Sequence, residues 1–293
     1  MNPTAVALVL ASTFMHAGWN LLARRYPMDC GVFFSRMLLV VLAVGLVPMA
    51  LSEVWARSLA PGAWLCVMGS GSCCGFYFFC LARSYGAADF TTVYPVARAV
   101  PVCLVGFGDV IWGRYLSGLG WLGIVLVVTG CMLAPLRSFG DFHLRAYWNR
   151  RIVWILLTAL ATAAYSLLDK WAAQMVDQGP ATAARYGYVY FLVGAAVYAA
   201  LVRRFASRRH VPASLGWFRP AVAAGMAFGA YWLVLWAYQL SGNASYVVAF
   251  RQFSVVIGVI LAFTLYKEQG LGVRLAGTGL IAAGLFVIGL WGR

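Results

Sequence analysis

Ten long apolar runs constrain this chain more than any other feature of its sequence. Each has about 17 to 25 residues, enough for a helix to cross a hydrocarbon core of roughly 30 Å. The chain is 63% hydrophobic and 10% charged, which is more apolar surface than a soluble domain can bury. In lipid the runs must be helical, because every backbone polar group needs a partner within its own segment. The predicted spans are 3–22, 31–51, 61–82, 89–108, 115–135, 152–170, 182–202, 217–240, 244–266 and 271–291.

The first five spans resemble the last five. The matching segments occur in the same order in both halves, and the matched glycines share one constant offset. Chance similarity between apolar segments would not preserve that order. The matches are WNLLAR (19–24) with YSLLDK (165–170), LARSYGAADF (81–90) with WAYQLSGNAS (236–245), and Gly123 and Gly130 with Gly277 and Gly284.

This repeat predicts how the chain is organised. Five is an odd number of spans, so the second half enters the membrane from the side opposite to the first. We therefore expect an all-α integral membrane protein with ten transmembrane helices in two inverted five-helix repeats. The first repeat covers 1–136, a connecting loop 137–151, and the second repeat 152–293. In transporters built this way the substrate site lies near mid-membrane, between the repeats.

The basic residues are distributed unevenly between the two membrane sides. Of the 22 Lys and Arg residues, 13 lie in loops after odd-numbered spans, 5 lie on the other side, and 4 lie in spans or at their edges. Because these charges are dispersed in short loops, we interpret the net charge of +14 as a topology signal rather than a nucleic-acid site. The positive-inside rule places the loop RRFASRRH (203–210) in the cytoplasm and both termini outside. We expect a multi-pass protein of a bacterial-type inner membrane.

The fourth span contains YPVARAVP (94–101), an unusual sequence for a membrane helix. Pro95 and Pro101 each remove a backbone hydrogen bond, so the freed carbonyl groups should face protein or water rather than lipid. Arg98 lies between the two prolines, about one turn from Tyr94 and from Pro101. This pattern predicts that the stretch faces an internal cavity.

The ninth span carries Arg251 and Gln252 at nearly the position equivalent to Arg98. Ionisable residues within membrane spans usually mark ligand or ion pathways, although the two arginines could instead tie the halves together by binding carbonyl groups or an acid. Acidic residues are scarce in the spans, so the cavity is expected to be positive. Guanidinium groups bind carboxylate and phosphonate through paired donors, which favours an anionic or zwitterionic ligand.

Other polar and aromatic residues are candidates to line the same cavity. His16 and Asn20 share one helix face, and their repeat partners lie near Tyr165. His16, whose ordinary pKa is about 6.5, and Asp169 are the candidate proton-coupling residues; Asp169 could instead pair with Lys170 or Arg24. Most tryptophans are expected to pack or to form interface belts. The predicted substrate-binding residues are His16, Trp19, Asn20, Tyr77, Tyr94, Arg98, Tyr165, Trp232, Arg251 and Gln252.

Taken together, these motifs resemble an EamA-type member of the drug/metabolite transporter (DMT) superfamily. The segments that carry the resemblance are HAGWN (16–20), YPVARAVP (94–101), the glycine-rich fifth span, VVAFRQFSVVIG (247–258) and LYKEQ (265–269). Two features depart from the family pattern. Its usual acidic residue at the end of the fourth helix is Arg114 here, while the second half keeps Glu268. The resemblance implies cytoplasmic termini, whereas the charge distribution favours the opposite.

The sequence therefore predicts a secondary active transporter of a small metabolite such as an amino acid, an organic acid or a phosphonate-like solute. Export of an amphipathic or cationic drug-like compound is the alternative, and a non-transporting membrane scaffold is a weaker one. No nucleotide-binding loop and no catalytic triad or metalloprotease motif is present, so we expect no enzyme, cofactor or metal. The expected partners are the substrate and the lipid bilayer, with a monomer and a homodimer both open.

Overall fold

The predicted spans appear as helices in the computed structural model, which describes residues 1–24, 30–55, 59–85, 90–136, 138–141, 152–205, 216–266 and 270–292. Within these ranges the chain forms helices and no strand. Most of the predicted connecting loop, together with Glu268, lies outside the described residues. The helices are α1 (Pro3–Arg24), α2 (Cys30–Trp55), α3 (Pro61–Tyr85), α4 (Phe90–Ile111), α5 (Gly118–Leu133), α6 (Ile152–Ala172), α7 (Pro180–Phe205), α8 (Phe218–Leu240), α9 (Ala244–Arg251), α10 (Phe253–Tyr266) and α11 (Leu271–Trp291), with a 3-10 turn at Phe139–Asp141.

Most of these helices can cross a membrane. Within the described ranges, 8 helical segments are long and apolar enough by length and composition, and α5 is a shorter apolar helix. Each predicted span except the ninth corresponds to a single helix whose ends lie within a few residues of the predicted ones. Both termini lie at one end of the bundle, where the amino group of Met1 contacts the carbonyl oxygen of Gly289 at 3.3 Å. We call this the terminal end.

The predicted ninth span is one membrane-capable segment over Ala244–Leu261 that is interrupted at a single residue, because α9 ends at Arg251 and α10 begins at Phe253. The side-chain amide of Gln252 donates to the carbonyl of Val248 at 2.9 Å. In a regular α-helix, that carbonyl would accept the backbone N–H of residue 252. That N–H instead donates to the carbonyl of Ala249 at 2.9 Å. A side chain inserted into the helical hydrogen-bond ladder is a recognised cause of helix breaks.

Glycines bring α5 and α11 together at backbone distance. A Cβ at Gly123 would lie 2.9 Å from the carbonyl oxygen of Gly284, and one at Gly130 would lie 2.5 Å from that of Gly277. The reverse contacts, from Gly284 to Gly123 and from Gly277 to Gly130, are 2.6 Å and 3.0 Å. Since a methyl group would clash at each position, only glycine permits this approach.

Several of the close helix contacts join residues before 137 to residues after 151. Helix α1 packs against α8, α3 against α6 and α7, and α4 against α6 and α9. Helix α7 also binds α2, because Tyr188 and Tyr198 donate to the carbonyls of Leu42 and Gly31 at 3.1 Å and 2.7 Å. The interior between the two parts of the chain is therefore built by both of them.

Candidate functional site

Two adjoining cavities lie in this interior and share His16, Tyr77, Tyr165 and Arg251. We name them by their walls. The aromatic cavity is completed by Ser12, Trp19, Phe78, Tyr190, Phe191, Ala227, Ala230, Tyr231 and Val234. The polar cavity is completed by Asn20, Leu81, Ala97, Arg98, Pro101, Thr158, Thr162, Val248 and Gln252.

Arg251 is the charged residue common to both cavities. It is the last residue of α9 and only 9% exposed, and its Cζ lies 5.6 Å from the centre of the Tyr231 ring. Within the described residues the salt bridges are Arg114–Asp109 and Arg185–Glu53, so Arg251 forms no salt bridge there. The Tyr231 ring and the negative end of the α9 dipole partly offset the cost of burying this charge.

His16 experiences the positive charges of both arginines that were predicted to line the cavity, Arg98 and Arg251. Its Nδ1 accepts the indole N–H of Trp19 at 3.3 Å, and the two rings meet edge to face at 5.1 Å. The amide of Asn20 donates to the carbonyl of His16 at 2.8 Å. Arg98 and Arg251 are both close enough to influence His16 electrostatically. The shared part of the two cavities therefore lies within the electrostatic influence of two positive charges.

Asp169 is buried next to the aromatic cavity, with 1% of its surface exposed. Its two oxygens accept the hydroxyl groups of Tyr186, at 2.8 Å, and of Tyr231. It does not pair with Lys170, whose ammonium group donates to the carbonyls of Tyr238, at 2.9 Å, and of Ser241. The side chain of Arg24 lies outside the described residues. Tyr231 therefore contacts both charged residues, since its hydroxyl donates to Asp169 and its ring lies against Arg251.

One wall of the aromatic cavity is formed by Tyr165, which is among the predicted site residues, and by Tyr190 and Tyr231, which are not. Tyr190 and Tyr231 stack with centroids 4.5 Å apart and an interplanar angle of 22°. Tyr165 presents its edge to them at 5.9 Å and 5.6 Å. A signal was available, because a tyrosine within an apolar span needs a partner for its hydroxyl, whereas phenylalanine does not. The segment YGYVY (186–190) carries this signal three times.

Most of the predicted substrate-binding residues meet at the cavities, and one does not. Trp232 lies in neither wall, since its indole N–H donates to the carbonyl of Pro180 at 2.7 Å. The side chain of Tyr94 lies outside the described residues. The predicted residues that line a cavity are His16, Trp19, Asn20, Tyr77, Arg98, Tyr165, Arg251 and Gln252.

An acid-centred cluster joins α4 to the start of α9 near the terminal end. The fully buried carboxylate of Asp109 accepts the backbone N–H groups of Ala244 at 3.2 Å and Ser245 at 2.7 Å, and also the Ser245 hydroxyl at 2.7 Å. Arg114 forms a salt bridge with Asp109 at 2.9 Å. We call these four residues the Asp109 clasp. It caps α9 with a side chain from a different helix.

No metal site accompanies these features in the described ranges, where no group of three or more His, Cys, Asp or Glu residues could hold an ion. Among the described residues, the Oε1 of Gln252 in the wall of the polar cavity is buried without a hydrogen-bond partner. The polar cavity therefore presents an unsatisfied acceptor, the Oε1 of Gln252, beside the positive charge of Arg251.

The fold is found in other proteins. One crystal structure, described only as that of a protein, superposes with a TM-score of 0.64 at 17% sequence identity and covers 98% of both chains. That likeness shows a shared fold. A comparison with curated proteins finds no significant sequence match.

Residues 3–135 match the EamA-like transporter family. The match covers α1 to α5, which contribute His16, Trp19, Asn20, Tyr77 and Arg98 to the cavities. Members of this family are transporters rather than enzymes. The first part of this multi-pass membrane protein, residues 3–135, is thus similar to the EamA-like transporter family, which is part of the DMT superfamily.

Proposed function

We propose that this protein is a secondary active transporter of a small anionic or zwitterionic metabolite, of the amino acid, organic acid or phosphonate-like class. The observation that carries the proposal is Arg251, a buried cation in the walls of both cavities that forms no salt bridge among the described residues. A guanidinium group in this position supplies paired donors and a positive charge to an acid group. Arg98, in the wall of the polar cavity, adds a second positive charge.

Alternating access between inverted repeats, 1–136 and 152–293, is the proposed mechanism. The contacts between α5 and α11 support it, because Gly123 opposes Gly284 and Gly130 opposes Gly277. In the sequence repeat, Gly123 corresponds to Gly277 and Gly130 to Gly284. Such reciprocal pairing is expected across a two-fold axis, where each contact is repeated with the partners exchanged. The break at Gln252 also fits, since discontinuous helices commonly form transporter sites.

The proposed location is a bacterial-type inner membrane with both termini outside. The support is the distribution of Lys and Arg between the loops, 13 against 5. His16 and Asp169 are the proposed proton-coupling residues, because both lie at the aromatic cavity or beside it. Proton-driven uptake into proteoliposomes that is lost in His16→Gln or Asp169→Asn would identify which residue carries the proton.

Ligand-induced stabilisation tests the substrate class. The purified protein would be heated in detergent with succinate, L-glutamate, methylphosphonate or tetraphenylphosphonium, and the melting temperature recorded. A ligand present at about 100 times its Kd stabilises the folded state by about 2.7 kcal/mol. We expect an acid to raise the melting temperature of the parent but not of Arg251→Gln.

The control is Arg36→Gln. Arg36 donates to the carbonyl of Gly216 at 2.7 Å and stacks on Trp217, away from both cavities. This variant should keep the response to acids. Stabilisation by tetraphenylphosphonium alone would refute the anion proposal and favour an exporter of amphipathic cations. Acid-induced stabilisation that persists in Arg251→Gln would show that the guanidinium is structural.

A further inference from the structure

We infer that the aromatic cavity binds an uncharged, aromatic or branched apolar body of the substrate, while the acid group lies toward the polar cavity, and that Tyr190 determines the preference for this body. The inference rests on the proposed function and narrows its substrate class. It starts from the difference between the two cavities that share Arg251, because one is lined mainly by aromatic side chains and the other by more polar ones.

The walls of the aromatic cavity come from both parts of the chain. Trp19, Tyr77 and Phe78 belong to α1 and α3, and the remaining aromatic residues belong to α6, α7 and α8. Tyr77 meets Tyr165 edge to face at 6.0 Å, which extends the tyrosine wall across the interface. Rings that present both edges and faces are suited to a planar or branched apolar group, since aromatic pairs prefer offset-stacked and edge-to-face arrangements.

The charges around this cavity argue against a cationic body. Arg251 already places a positive charge against the Tyr231 ring, at 5.6 Å, so a ligand ammonium there would be repelled. Asp169 is not available as its counter-ion, because the carboxylate is 1% exposed and accepts the hydroxyls of Tyr186 and Tyr231. The part of the substrate that enters the aromatic cavity should therefore be uncharged.

Four polar side chains of the polar cavity already donate a hydrogen bond to a backbone carbonyl of their own helix. The hydroxyls of Thr158 and Thr162 donate to carbonyls of their own helix at 2.7 Å and 2.9 Å. The amide groups of Asn20 and Gln252 donate to the carbonyls of His16 and Val248. An acid group entering this cavity would consequently be recognised by guanidinium, with Arg251 at the boundary between the two cavities.

Tyr190 is the residue best placed to select the apolar body. It is 3% exposed, stacks on Tyr231 and contacts Tyr165 and Phe191. Replacing it with leucine removes a ring face from the cavity and leaves Arg251 in place. Tyr198 is a matched control, because it is 2% exposed on the same helix but donates to Gly31 at 2.7 Å and lines neither cavity.

Titration calorimetry in detergent tests the inference with acetate, phenylacetate and phenethylammonium. We expect phenylacetate to bind at least about tenfold more tightly than acetate, because its ring is buried, and phenethylammonium to bind more weakly than phenylacetate. Tyr190→Leu should reduce the preference for phenylacetate over acetate by about three- to tenfold. Tyr198→Leu should leave that preference unchanged.

Each contrary outcome has a distinct meaning. Equal affinities for acetate and phenylacetate would overturn the inference and leave the proposed function intact. An equal loss of preference in Tyr198→Leu would remove the assignment to Tyr190. If neither acid bound, or if phenethylammonium bound more tightly than phenylacetate, both the inference and the anion proposal would be refuted.

Discussion

Removing the carboxylate of Asp109 should destabilise the protein more than removing any other acid in the described part of the chain. The carboxylate is fully buried and accepts three hydrogen bonds from Ala244 and Ser245, as well as the salt bridge from Arg114. In Asp109→Ala the first turn of α9 loses its cap, and the guanidinium of Arg114 loses its counter-ion.

The size of the effect follows from these contacts. Loss of a helix cap typically costs about 1 kcal/mol, and breaking a buried ion pair costs about 3 to 5 kcal/mol. The side chain of Arg114 is 11% exposed and can turn partly toward water, which lowers the second cost. We expect Asp109→Ala to lower the free energy of unfolding by about 3 kcal/mol, and Arg114→Ala to lower it by about 1 kcal/mol.

Reversible unfolding in mixed micelles of increasing SDS content, followed by circular dichroism, would measure both values. The double variant should lower the free energy of unfolding by less than the sum of the two single variants. With both side chains removed, no charged group is left without its counter-ion. Asp177→Ala is the matched control, since Asp177 is an exposed acid between α6 and α7 and should change stability little. A cost below about 1 kcal/mol for Asp109→Ala would refute the reasoning, because a buried charged cap cannot be lost so cheaply.

Three further predictions address packing, the helix break and topology. Gly130→Ala should lower the free energy of unfolding by about 1 to 3 kcal/mol in the same assay, because the new Cβ would lie 2.5 Å from the carbonyl oxygen of Gly277. Gly225→Ala should leave the stability unchanged, because a Cβ there would meet no atom within 4 Å. Gln252→Leu should let the backbone N–H of residue 252 bond to Val248, so its hydrogen exchange should slow; unchanged exchange would mean that another feature breaks the helix. A periplasm-specific reporter fused after Trp291 should be active, and activity of a cytoplasmic reporter there would reverse the proposed orientation.

Hydropathy was sufficient to predict the membrane helices, because each must supply enough apolar length to cross the bilayer. It could not predict the break at Gln252. A glutamine side chain can bond to its own helix or to a neighbour, and the sequence does not distinguish these choices. The candidate site was predictable where a residue type is costly in lipid, as for Arg98, Arg251 and His16.

Helix packing creates both the Asp109 clasp and the cavity wall formed by Tyr165, Tyr190 and Tyr231. The sequence pattern alone does not reveal how the helices pack against one another. Aromatic residues occur on every face of these helices, so Tyr190 differed from other aromatics only through its need for a hydroxyl partner. Trp232 is among the predicted site residues, but its N–H donates to the carbonyl of Pro180. Asp109 contacts residues 135 and 136 positions away, a pairing that only the tertiary fold establishes.

The Asp109 clasp occupies one end of the bundle, and the position in the second half that corresponds to Asp109 carries no acid. At the offset of the matched glycines, Asp109 corresponds to Phe263. In the proposed alternating-access cycle, breaking the contacts of the clasp at one end would then differ in energy from breaking the contacts at the other end. The two end states of the empty transporter would differ in population, so a ligand would show different apparent affinities from the two membrane sides. Such a bias leaves the equilibrium distribution of the solute unchanged, because the net direction depends on the gradients alone.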